Sequence, residues 1–162
     1  VRGKKHRFNA SYTSFLLYFF SGYNEVIAGW SRSGDYDLVR KAETLLEEME
    51  ASTNEESSRI GPNKYTYDSI IFCYKNSNLP DKAEKALAIL EKMKGLAVTN
   101  SFCRPDCKTY NTVMNCVSKS KHPSAPYQVE KLLEELIDIH KHTGFSSMRP
   151  TNKSFNACVR FE

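Results

Sequence analysis

The chain has 162 residues, 40% of them hydrophobic and 26% charged, the balance of an ordinary folded domain and not of a disordered tail. Its formal charge of +4 permits a polyanionic partner without requiring one, so charge alone selects no function. The longest apolar run, Phe15 to Phe20, is far shorter than the roughly 20 residues that cross a bilayer, and no membrane span is expected.

Residues 1–20 read as an N-terminal flank, part of a preceding helix. The chain begins at Val1 without a Met, and Glu162 follows the opening of a further repeat. Both ends therefore read as boundaries within a longer protein, and any targeting peptide would lie outside this sequence.

From residue 21 onward a period sets in. Tyr23-Asn24 opens an apolar stretch at Val26-Ile27, the turn formers Ser33-Gly34-Asp35 follow, and a second stretch begins at Leu45-Leu46. Leu45, Leu46 and Met49 form an i, i+1, i+4 stripe backed by Glu43, Glu47 and Glu48, the pattern of a half-buried amphipathic helix with a solvated acidic side. A polar loop from Asn54 to Gly61 leads to Pro62 and closes the first unit, 21–63. The second unit, 64–106, repeats the plan with Tyr67-Asp68, Ile70-Ile71, the turn Ser77 to Asp81, Ile89-Leu90, the loop Gly95 to Cys103 and Pro105. The third, 107–151, has Tyr110-Asn111, Val113-Met114, the turn His122 to Pro126, Leu132-Leu133, the loop His142 to Met148 and Pro150. Residues 152–162 open a truncated fourth unit at Phe155-Asn156.

The spacing is strict where helices are expected and loose where they are not. The opening aromatics lie 44, 43 and 45 residues apart, and the second apolar pair falls 22 and 23 residues after the Tyr in all three units. Met49, Met93 and Leu136 follow at 26 residues, whereas the distances from there to the Pro are 13, 12 and 14. Two helices of fixed length joined to the next pair by a variable surface loop would produce this pattern. One hairpin cannot bury both of its apolar faces, so neighbouring units must stack. The fold expected is all-α, a right-handed solenoid of helix-turn-helix repeats.

Several other signals read as packing. Cys73 and Cys116 each lie six residues after their Tyr, the position of small residues between helices. The spacing of Cys103, Cys107, Cys116 and His122 fits no common zinc finger, so no metal is expected. His140 and His142 sit where they can cap a helix. Tyr23, Tyr67 and Tyr110 read as packing anchors. No P-loop, nucleophile elbow or metal-carboxylate motif is present, and neither catalysis nor a cofactor is expected.

The strings Pro62-Asn63-Lys64-Tyr65-Thr66-Tyr67-Asp68-Ser69-Ile70-Ile71 and Pro105-Asp106-Cys107-Lys108-Thr109-Tyr110-Asn111-Thr112-Val113-Met114 resemble the junction of pentatricopeptide repeats, and Leu45-Leu46-Glu47-Glu48-Met49 resembles that family's second helix. The unit here is longer than the family's usual one, with the excess partly in the inter-helix turn and mostly in the trailing loop. The resemblance covers Ser21 to Val159 and implies single-stranded RNA binding at about one base per unit, in RNA processing, stability or translation within a mitochondrion or chloroplast. By position it pairs Asn24 with Asn63, Asp68 with Asp106, and Asn111 with Thr151 as base-facing residues. Asn156 opens a fourth pair whose second member the sequence does not contain. By the same resemblance the first and third pairs imply a pyrimidine, while two carboxylates near one base require a donor-rich base edge or a proton between them, and that unit is left unassigned.

The family wedges bases with an aliphatic residue three places after the Pro. Here Tyr65, Lys108 and Lys153 stand there, one able to stack on a base and two carrying charge. Arg32, Lys75 and Lys119, near the ends of first helices, are the phosphate candidates. Partners expected are single-stranded RNA and, secondarily, other proteins, with no membrane. The rival reading is a tetratricopeptide-like scaffold that holds a peptide in the same concave face. A polar groove edged by cations would favour RNA, and an apolar one a peptide.

Overall fold

The computed structural model describes residues 21–52 and 61–159, and these contain seven helices and no strand. The flank 1–20 and most of the loop Asn54 to Gly61 lie outside the described residues. The helices are α1 (helical over 21–30), α2 (Tyr36–Ala51), α3 (Lys64–Asn76), α4 (Lys82–Leu96), α5 (Cys107–Ser118), α6 (Ala125–Thr143) and α7 (Asn152–Val159). From α2 onward each packs against the next in sequence, and α5 also packs against both α3 and α7. The odd-numbered helices α3, α5 and α7 therefore form one layer, and long side chains join α2, α4 and α6 into another.

Each boundary has a local cause. Asp35 caps α2 by accepting from the N–H groups of Asp37 and Leu38, which satisfies two of the donors a helix start leaves open. Asn63 and Asp106 start α3 and α5 with capping boxes closed by Thr66 and Thr109. Pro126, in the first turn of α6, loses no helical hydrogen bond there, and Gly144 ends the helix in the left-handed conformation (φ +66°).

Burial follows the expected stripes. Val39, Ala42, Leu46 and Met49 on α2, and Ala83, Ala86, Leu90 and Met93 on α4, face inward at i, i+3, i+4 spacing. Each large apolar side chain so enclosed contributes about 1.5–3 kcal/mol over leaving it in water. The central helix α5 is enclosed on several sides, with Tyr110, Val113, Met114, Cys116 and Val117 all fully buried. Cys73 and Cys116 are core residues, and burial pushes their thiols up to about 12 and about 11. Both stay protonated at neutral pH and act as small apolar groups. His140 Nδ1 lies 3.1 Å from the Phe145 carbonyl beyond α6, and His142 Nδ1 2.7 Å from the Asp138 carbonyl one turn back, and neither is a carbonyl that the helix end leaves open.

The Tyr anchors differ in their polar ends. Tyr67 and Tyr110 are buried, and Tyr23 is half-buried against the core. The Tyr67 hydroxyl donates to Glu50 of α2 at 3.1 Å, whereas Tyr110 donates to Glu135 of α6 at 2.7 Å. Burial, reinforced by the carboxylate beside each, drives both phenols well above their usual range. Phe155, their counterpart in α7, is about half-exposed because no described helix follows to cover it.

Two expectations need correction. The acidic side of the second helices is not uniformly solvated. Glu43 accepts from Tyr74 and pairs with Lys85 at 2.8 Å; Glu135 accepts from Tyr110 and pairs with Lys94 at 2.9 Å. Tyr hydroxyls buried at one end of each ring need acceptors, and these carboxylates supply them. Glu47, Glu48 and Glu134 do remain exposed. The second and third inter-unit loops also begin later and carry more structure than their composition suggests. Gly95 belongs to α4 and His142 to α6, and each loop forms a 3₁₀ turn, Ser101–Cys103 and Ser146–Met148. These turns drop Cys103 and Met148, each two residues before the Pro, into the core.

Gly34 makes the turn between α1 and α2 at φ +69°, and a Cβ there would stand 2.7 Å from the Asn76 carbonyl oxygen. The same corner is tied by Asn76 Nδ2 donating to Ser31 O at 2.8 Å. Gly34→Ala is expected to lose more than the roughly 1–2 kcal/mol of a left-handed non-glycine residue, because the methyl group also meets backbone. Urea denaturation measures this, and a loss of a few tenths of a kcal/mol would mean the turn does not dock on α3.

Candidate nucleic-acid interface

The cap that begins each first helix also reaches back to the preceding one. Asn63 Oδ1 accepts from the N–H groups of Tyr65 and Thr66, and Thr66 Oγ1 donates to Asn24 Oδ1 at 2.6 Å. One unit on, Asp106 Oδ1 accepts from Thr109 N at 3.0 Å and Thr109 Oγ1 donates to Asp68 Oδ1 at 2.7 Å. The structure thus brings Asn24 to Asn63 and Asp68 to Asp106, each pair joined through a threonine hydroxyl.

The third pair meets differently. Asn111 Nδ2 donates directly to Thr151 Oγ1 at 3.2 Å and to Cys107 Sγ at 3.4 Å, while Ser154 takes the threonine's capping position and accepts from Thr151 N at 3.0 Å. Here the amide nitrogen, not an oxygen, faces the cap. The carbonyl oxygens of Asn111 and of Asn115, one turn further along α5, are buried without a protein partner. Asn156 is exposed on α7.

The two carboxylates of the second pair do not repel unchecked. Lys64 Nζ lies 2.6 Å from Asp68 Oδ2 and 2.9 Å from Asp106 Oδ2, with all three side chains roughly a quarter to a third exposed. Burial opposes the charge on Lys64, but its hydrogen bonds to Asp68 and Asp106 outweigh this and hold its pKa above the usual lysine value. Burial likewise works to raise Asp106, and the bonds from Lys64 and the Thr109 N–H overcome it, leaving that carboxyl below the usual aspartate value. Sequence reasoning missed Lys64. Its i, i+4 spacing to Asp68 was visible, but its reach to Asp106 across 42 residues was not.

These two shifts make a pH prediction. The raised pKa of Lys64 gives stability that is complete below 10.5 and lost as pH rises through its elevated value. The depressed pKa of Asp106 gives stability that is present above 3.8 and lost as pH falls through its lowered value. Melting curves of the parent and of Asp106→Asn across this range should therefore differ most between the two limits and converge at the acid end. A constant difference down to the acid limit would contradict the linkage.

An open cleft of about 1250 Å³ runs along α3, α5 and α7. Lys75, Lys108, Arg149 and Lys153 line it, with Asp106 as its one carboxylate, which shares Lys64 with Asp68. Among the described residues none of these four cations is paired with a carboxylate. Lys64, Lys85, Lys92 and Lys94 by contrast all are. Lys75 lies 4.0 Å from the Phe72 ring centroid, and burial, aided by the charge of nearby Lys119, lowers its pKa. Positive charge is therefore gathered in this cleft without a partner of its own, a state an anion would relieve.

Not every candidate lines the cleft. Lys108 and Lys153 do, while Tyr65 stands 72% exposed beside the Asn63 cap. Arg32 and Lys119 are exposed just past the ends of α1 and α5 and line no part of it. Arg149, which the sequence reading passed over, does line it. Its counterpart Arg104 also precedes the closing Pro and stacks 5.4 Å from the Phe145 ring centroid.

Comparison with known protein families, with curated proteins and with solved structures finds no match to this chain.

Proposed function

We propose that the chain is a stretch of right-handed α-solenoid of the pentatricopeptide kind, whose first helices line a groove that holds single-stranded RNA. It binds and does not catalyse, and its setting is RNA processing, stability or translation in a mitochondrion or chloroplast. The observation that carries this reading is the repeated meeting of two side chains from successive units, at Asn24/Asn63, Asp68/Asp106 and Asn111/Thr151. Each meeting is an array of donors and acceptors able to address a base edge.

The neighbouring cleft supplies the other requirement. Lys75, Lys108 and Lys153 offer a strand's phosphates cations that no described carboxylate pairs with, and Tyr65 offers an exposed ring for stacking. A cleft lined by four cations favours this reading over the peptide-binding scaffold. Titration of a labelled RNA tests it: the chain should bind single-stranded RNA ahead of duplex of the same sequence, and more weakly as salt rises. Duplex bound equally well, or an apolar peptide bound in place of RNA, would overturn it.

A further inference from the structure

Lys64, Asp68 and Asp106 form a recognition unit unlike the other two. The ammonium has three N–H donors, of which two are held by Asp68 Oδ2 at 2.6 Å and Asp106 Oδ2 at 2.9 Å. One remains. The carboxylate oxygens can each accept more than one hydrogen bond, and their other partners are the Thr109 hydroxyl, 2.7 Å from Asp68 Oδ1 and 3.2 Å from Asp106 Oδ1, and the Thr109 N–H on Asp106. The group thus presents one spare donor flanked by spare acceptors, with a formal charge of −1 from two carboxylates and one ammonium. All three side chains are part-exposed, so an incoming base can reach them.

A base that fits must accept from the ammonium and donate to the carboxylates. Guanine has a carbonyl oxygen next to two donors, its ring N–H and its amino group, along one edge. Uracil has a single N–H between two carbonyls. Adenine and cytosine each set a ring-nitrogen acceptor beside their amino group, and that lone pair would face a carboxylate. Resting on the RNA reading above, we infer that the second unit selects guanine, with Lys64 as a specificity-determining residue beside Asp68 and Asp106. The lysine supplies the donor for the guanine oxygen and holds the two carboxylates together to receive the N–H groups.

The test uses the whole chain and short oligouridines carrying a single central G, A or C, with binding followed by fluorescence anisotropy. The uridine background suits the pyrimidine-facing first and third units, and the central base is free to find its own register. The parent should prefer the G oligonucleotide over the A and C ones by about tenfold, the scale of one good bidentate contact. Lys64→Met and the isosteric Asp68→Asn should each bring that ratio close to one, whereas Lys131→Met, exposed on α6, should leave it intact. Circular dichroism and melting curves check that the variants fold, and Asp68→Asn still offers Thr109 an acceptor. A G preference that survives both variants, or a parent that binds RNA without favouring G, overturns the guanine assignment and leaves RNA binding standing. Failure to bind any of these RNAs removes the RNA reading and this inference together.

Discussion

Tyr110→Ala is expected to lower folding stability by about 3–5 kcal/mol, the range for emptying a large aromatic site in a core. Tyr110 is 0% exposed, on the one helix that packs against α3, α4, α6 and α7 at once, so its removal opens a cavity that no single neighbour can refill. The substitution also strips Glu135 of its hydroxyl donor, leaving it to Lys94 alone. Tyr110→Phe separates these two effects. It keeps the ring and costs only the hydrogen bond to a charged acceptor, about 1.5–3 kcal/mol. Denaturant melts of the three proteins give both numbers. Equal losses for the two variants would place the stabilisation in the hydroxyl and deny the packing role.

Replacing Lys75, Lys108 and Lys153 together by Ala should weaken RNA binding by about a hundredfold at 0.1 M salt and lower the slope of log K against log salt by about 2, at roughly 0.7 per phosphate contact on a single strand. The loss should be the same for every sequence, because phosphates carry no base identity. Asn24→Ala and Asn63→Ala should do the converse, changing base preference with the salt slope intact. Asn63→Ala also removes a helix cap, at about 1 kcal/mol, so its binding is to be read at a temperature where the variant is folded. Sequence-blind losses of equal size from both sets would refute this division of labour.

Much of the fold was legible in the spacing. A fixed 26-residue distance from Tyr to Met49, Met93 and Leu136 marks the second helix because a helix pair tolerates no insertion between its two buried stripes. The caps Asn63 and Asp106 were not read as such, because the Pro-Asn and Pro-Asp dipeptides that precede Lys64 and Cys107 drew attention as a repeat junction. What else stayed hidden depends on contacts between units. Glu50 and Glu135 sit on helix surfaces that look solvated from their own periodicity, and only the arrival of a Tyr hydroxyl and of Lys92 or Lys94 from another helix makes them half-buried, paired groups. Cys103 and Met148 lie in stretches whose composition reads as loop, and their burial comes from 3₁₀ turns that a few polar residues do not announce.

The candidate site divides the same way. The pairing of Asn24 with Asn63 and of Asp68 with Asp106 follows from unit length and resemblance alone, and the structure adds the threonine that joins each. Lys64 was hidden because a lysine followed four residues later by an aspartate is an ordinary surface pair. Its importance arises only when Asp106, from the next unit, closes on the same ammonium.

Amide resonances followed during titration with single-stranded RNA test the account most directly. It predicts the largest shifts at the N-terminal turns of α3, α5 and α7 and along the faces carrying Asn24, Asp68, Asn111 and Lys75, with α4 and α6 little changed. Shifts concentrated on α4 and α6, or scattered with no relation to the repeated positions, would contradict it.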